Sequence, residues 1–118
     1  MKVKINKFTY EILETENKED ERLKLNDVYA IGITRCNDQQ IIIYNNLSEA
    51  RFRMTLIHEL THAFIDAYGF WAHSEKFSHE DIAEFVSTYA DDIVRIAEKY
   101  IENRYATEKR RDRKKLVK

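Results

Sequence analysis

The chain lacks most of what would break it into pieces or fix it in a membrane. It has no proline, two glycines and a single cysteine among 118 residues. One cysteine, Cys36, cannot close an internal disulfide, so nothing points to an oxidising compartment. No apolar run approaches the roughly 18 residues needed to span a bilayer, which excludes a membrane partner. The opening Met1-Lys2-Val3-Lys4-Ile5-Asn6-Lys7 lacks the apolar stretch and small-residue cleavage site of a secretion signal. The expectation is a cytoplasmic protein. Internal repeats are absent as well, and the length suits one domain.

What is present supports a solvated globular body. Hydrophobic residues make up 43% of the chain and aromatics 12%, enough for a core, while 35% are charged. The net charge of −1 conceals an asymmetry. Residues 104–118 carry eight Lys and Arg against two acids, a balance of +6, and the other 103 carry twelve against nineteen, a balance of −7. The reading is therefore a domain over 1–104 and a basic C-terminal tail over 105–118. Such a tail can follow phosphates, but Lys109-Arg110-Arg111-Asp112-Arg113-Lys114-Lys115 has no interleaved aromatics. It reads as a solvated helix end with at most weak nucleic-acid contact.

Periodicity divides the chain in two. Val3 to Leu13 alternates loosely and predicts one strand. Glu14 to Asn26 is crowded with charge and fits a loop or a short exposed helix. Val28 to Thr34 predicts a second strand, with Gly32 a bulge or a point of close approach. A turn at Cys36-Asn37-Asp38-Gln39 and a short β-branched strand, Ile41 to Tyr44, complete an antiparallel hairpin. The period then becomes helical. Ser48 is a good N-cap for a helix to about Tyr68 that Gly69 stops, with Met54, Ile57, Leu60, Ala63, Phe64 and Ala67 as its apolar face. After a loop from Phe70 to Phe77, Ser78 can cap a second helix to about Arg104, with Ile82, Phe85, Val86, Tyr89, Ile93, Ile96 and Tyr100 apolar. Strands followed by two long helices make the class α+β.

The first helix carries His58-Glu59-Leu60-Thr61-His62, an HExxH motif. Four residues is about one helical turn, so both imidazoles leave the same face and can share one ion. Glu59 is rotated off that axis, where it can reach water without ligating the metal, the position a general base requires. A catalytic Zn2+ needs a third protein ligand, and four candidates follow. Glu80 and Glu84 lie one turn apart at the start of the second helix; His73 and His79 are the imidazole alternatives. A second acid one turn after a ligating Glu80 could orient an imidazole. The helical wheel sets Glu80 and Glu84 off the centre of the apolar stripe and His79 nearer to it, while Glu80 also suits a helix N-terminus on dipole grounds alone. A third histidine six residues after the second is absent, because Tyr68 stands there.

Thr55-Leu56-Ile57-His58-Glu59-Leu60-Thr61-His62-Ala63 resembles the active-site helix of the ImmA/IrrE-like metallopeptidases, particularly short phage and prophage versions. Ile41 to Tyr44 and Glu80-x-x-Ala83-Glu84-Phe85-Val86 look like that family's edge strand and third-ligand helix, so the likeness spans roughly residues 28–95. The resemblance implies a small zincin-like domain, a gluzincin-type peptidase in which His58, His62 and Glu80 hold Zn2+ and Glu59 is the base. Relatives of this kind cleave repressor-like regulatory proteins of mobile elements, which makes a protein substrate, such as a repressor, the implied partner. Glu84 departs from the family's usual Asp or Asn. The implied chemistry is metal-assisted amide hydrolysis, in which Glu59 takes a proton from water and delivers it to the leaving amine. Tyr68, His73 and Tyr89 are candidate donors to the developing oxyanion. Rival readings are a DNA-associated protease of the SprT type, whose third ligand would be a histidine such as His79, and a metal-binding module without catalysis.

Overall fold

A computed structural model describes residues 1–69 and 77–116. Its strands are β1 (Lys2–Ile5), β2 (Phe8–Thr15), β3 (Lys24–Leu25), β4 (Val28–Tyr29), β5 (Gly32–Arg35) and β6 (Gln40–Tyr44), followed by helices α1 (Glu49–Ala67) and α2 (His79–Leu116). The class is α+β, as expected. The four-stranded sheet runs in the order β1-β2-β6-β5, and β3 and β4 form a separate hairpin.

Several local expectations need correction. The stretch Val3 to Leu13 is two strands, because Asn6 takes φ 55° and reverses the chain between β1 and β2; Asn adopts that left-handed conformation at low cost. The strand expected over Val28 to Thr34 divides into β4 and β5. The sheet is mixed rather than antiparallel. β1 and β5 are antiparallel to their neighbours, but β2 and β6 are parallel, with Ile12 opposite Ile41 and Glu14 opposite Ile43. Parallel neighbours need a long crossover, and residues 16–39 supply it. The charged part of that segment is no simple exposed loop. Asp20 caps a 3₁₀ turn over Glu21–Leu23, Leu23 is fully buried, and the turn packs on β5.

β6 is one of the two inner strands, and its Ile41-Ile42-Ile43 run is wholly buried, the pattern of a strand covered on both faces. Ile41 and Ile43 join the core built with α1, where Phe52, Leu56, Leu60, Ala63 and Phe64 form the inward stripe. Met54, expected on that stripe, is 71% exposed. It lies about 160° around the helix from Phe52, on the outer side. The caps of α1 are as expected: the Ser48 hydroxyl accepts from Arg51 N–H, and Gly69 follows the helix at φ 75°. Asn6 donates its side-chain amide to the Ala67 carbonyl at 2.8 Å, so the β1–β2 turn closes the C-terminal end of α1.

α2 runs antiparallel to α1. Arg53 pairs with Glu98 at 2.7 Å, Phe52 stacks near Tyr100, and Tyr68 stacks on Tyr89. Phe85, Ile93, Ala97 and Tyr100 are buried, whereas Ile82 and Val86, expected on the same stripe, are exposed. The helix does not end at Arg104. It continues to Leu116, because residues 105–116 hold no glycine or proline and are rich in Lys and Arg, which favour helix. Its last fixed point is a cluster around Glu14, which accepts from Tyr100 Oη at 2.6 Å and Arg104 Nε at 3.0 Å. Beyond it, residues 105–113 are exposed. Among the described residues no helix is long and apolar enough to cross a membrane.

Candidate active site

The apolar stripe of α1 turns one flank of the helix towards β5, and that flank carries the motif. His58 and His62 stand exposed on it, their Nε2 atoms 3.2 Å apart and their rings in an edge-on arrangement. Two ligand nitrogens about 2.0–2.1 Å from one tetrahedral zinc would lie about 3.3–3.4 Å apart. The pair is therefore already set at nearly the spacing that a shared zinc requires. Flanking apolar residues bury the helix, as expected, but the imidazoles themselves face solvent.

Glu59 is rotated inward and only 7% exposed. Its Oε2 lies 4.0 Å from His58 Nε2, while Oε1 lies 2.9 Å from Thr34 Oγ1 on β5. The same hydroxyl is 2.9 Å from the Glu59 backbone carbonyl. A buried carboxylate without partners would be costly, and Thr34 supplies the donor. Gly32 makes this approach feasible. A Cβ there would sit 2.7 Å from Thr55 Cγ2, 3.2 Å from Glu59 Cγ and 3.3 Å from Glu59 Oε2. The sequence signal at Gly32 therefore marks close approach and not a bulge. Thr34 carried no signal, because the register of β5 against α1 is a tertiary property.

These side chains line a cleft of about 540 Å³ between α1 and β5, with Leu25, Ala30, Ile33, Cys36, Ile65 and Asp66 completing it. At one end the Tyr10 hydroxyl donates to Asp66 Oδ2 at 2.6 Å. Burial and the Asp66 carboxylate both hold the Tyr10 phenol protonated. Burial, and then the same carboxylate, raise the Cys36 thiol above its ordinary value, which makes it a poor nucleophile.

The other sequence candidates are placed differently. His79, Glu80 and Glu84 are exposed on the first turns of α2, where Ser78 and Asp81 cap the helix reciprocally. No group of three His, Cys, Asp or Glu side chains suited to a metal forms among the described residues. The structure thus brings together His58, Glu59 and His62, and does not bring Glu80, Glu84 or His79 into one set with them. His73 lies outside the described residues. Of the candidate oxyanion donors, Tyr68 and Tyr89 stack on each other with centroids 4.3 Å apart, and neither is among the cleft residues.

Comparison with known proteins adds no relative: no family model, no curated protein and no solved structure matches the chain.

Proposed function

We propose that this chain is a cytoplasmic zinc-dependent peptidase with His58 and His62 as two metal ligands and Glu59 as the base; the resemblance to ImmA/IrrE-like peptidases names Glu80 as the third ligand, although the structure leaves it apart from the histidine pair. One observation carries the reading. Two imidazole nitrogens stand at zinc-sharing distance on the wall of an open cleft, and a buried carboxylate oxygen sits 4.0 Å from one of them. The donor set suits the ion, since neutral imidazole and carboxylate are zinc's ordinary nitrogen and oxygen ligands. Zinc bound there would polarise a scissile carbonyl and lower the pKa of water. Glu59 is placed to take a proton from a water in the cleft and would pass it to the leaving amine. The resemblance to ImmA/IrrE-like peptidases directs the substrate proposal to a repressor-like regulatory protein of a mobile element.

A second reading has one observation in its favour. Only two metal donors converge among the described residues, which would also suit a metal-binding module without catalysis. Glu59→Gln separates the two. Zinc content is measured by atomic emission, and hydrolysis with internally quenched peptides and a candidate repressor. The peptidase reading expects near-wild-type zinc and activity lower by orders of magnitude. A zinc-loaded wild type that hydrolyses none of these substrates favours the non-catalytic module. A variant that loses zinc as readily as His58→Ala makes Glu59 a ligand or a structural residue.

A further inference from the structure

We infer that Thr34 is the positioning residue for the general base, and that it commits Glu59 to act through Oε2. The inference rests on the peptidase reading for its catalytic part. Its geometric part stands on the contacts between β5 and α1.

The Thr34 hydroxyl has one proton and two acceptors at 2.9 Å, the Glu59 carbonyl and Glu59 Oε1. An ionised carboxylate is the stronger acceptor, so the hydroxyl binds Oε1 and fixes the rotation of the carboxylate about its terminal bond. That torsion is otherwise soft, since sp³–sp² rotors have broad, roughly two-fold wells. Oε1 is thereby occupied on the β5 side. Oε2 remains, 4.0 Å from His58 Nε2 and beside Gly32, where no side chain crowds it. Both supports come from one short strand: Gly32 leaves the space and Thr34, two residues on, points to the same face. In the reaction, one O–H bond of water breaks and its proton bonds to Oε2, while the oxygen adds to the scissile carbonyl carbon. The proton leaves Oε2 for the amine nitrogen as the C–N bond breaks. Oε1 keeps the Thr34 hydrogen bond throughout and exchanges no proton.

Thr34→Val keeps the β-branched shape that suits a strand and deletes the donor. Thr34→Ser keeps the donor, and Thr34→Ala is a second donor-free variant should the valine pack badly. Two readouts are taken on each protein: crystal structures of the metal-free form for the Glu59 carboxylate, and steady-state kinetics of the zinc-loaded form with internally quenched peptides. The expected result in the valine variant is a carboxylate turned away from, or spread around, its wild-type position. A kcat fall on the order of 10–100-fold should accompany it, since misplacement by about 1 Å can cost up to about 100-fold, with KM and zinc content little changed and Tm lowered, because the donor-free variants leave the buried Glu59 carboxylate without its hydroxyl. Thr34→Ser should recover most of the loss. A carboxylate that stays in place, or equal kcat for the serine and valine variants, overturns the inference and leaves the peptidase reading intact. A wild type inert towards peptide removes the catalytic part, and the carboxylate comparison alone then decides whether Thr34 positions Glu59.

Discussion

Replacing Gly32 with alanine tests the close approach of β5 to α1 on which the cleft depends. The backbone at Gly32 is not in the left-handed region, so alanine is conformationally allowed. Restricting the unfolded chain would by itself stabilise the protein by about 0.4–1 kcal/mol. The steric effect opposes this. The new Cβ would meet Thr55 Cγ2 at 2.7 Å, well inside the roughly 3.5–4.0 Å at which carbons pack. Thr55 cannot simply turn away: its hydroxyl donates to the Arg51 carbonyl at 2.7 Å, and the residue is buried. Strand and helix must separate by close to 1 Å, or that hydrogen bond breaks. Overpacking of this kind costs about 1–3 kcal/mol, so destabilisation wins by about 1.3 kcal/mol at mid-range, between limits of about 0 and 2.6 kcal/mol. For a chain of this size that is a Tm fall of about 2–10 °C, measurable by circular dichroism. Zinc binding should survive, because His58 and His62 do not touch β5 through this contact, while hydrolysis should fall as Glu59 Oε2 is crowded. An alanine variant more stable than wild type would refute the packing argument.

For the third ligand, alanine substitutions of Glu80, Glu84, His79 and His73 are compared by zinc affinity. Glu80→Ala should weaken binding most, beyond the 10–100-fold typical of a residue that only supports a ligand; metal release by His79→Ala with Glu80→Ala unaffected would instead favour the SprT-like reading. Removal of residues 107–118 should leave zinc content unchanged and lower stability by less than about 1 kcal/mol, because what it deletes among the described residues is exposed: the Glu108–Arg104 pair at 3.5 Å, the Thr107–Asn103 hydrogen bond, the Lys109–Tyr105 contact and helical contacts beyond the Glu14 cluster. A large Tm loss in calorimetry would show that the tail packs on the body.

Local signals carried the sequence reading furthest. α1 was legible because Ser48, Gly69 and the 3.6-residue period act within one segment, and the placement of both histidines on one face followed from them. The β5–β6 hairpin was legible for the same reason, with a turn of Asn and Asp between β-branched runs. Interactions between distant segments were not. Nothing local reveals that β6 inserts beside β2 in parallel, since the pairing joins residues about 29 apart. A single Asn6 conformation divides the first strand, and Asn in an alternating run does not announce a turn. Met54, Ile82 and Val86 sit at plausible helical spacings, but which flank is covered depends on where the neighbouring helix crosses. Thr34 is the extreme case: a strand-end threonine acquires a role only when β5 lies against α1.

The placement of Glu59 separates what the fold needs from what the site needs. A carboxylate that is 7% exposed, beside a helix stripe of Phe52, Leu56, Leu60 and Ala63, does not help α1 to pack. Burying a charge costs several kcal/mol before compensation, and the side chain that hydrogen-bonds it among the described residues offers one neutral hydroxyl. A leucine of similar volume would fill the position without that cost. Nor does the surrounding strand look chosen for stability, since Gly32 gives up side-chain packing where a larger residue would collide with Glu59 and Thr55. A threonine donor, a glycine gap and a buried acid thus share one contact between β5 and α1, next to two imidazoles at zinc-sharing distance. Local rules broken together in this way mark a functional site more often than a structural one, and the common element they serve is the open side of the Glu59 carboxylate facing the cleft.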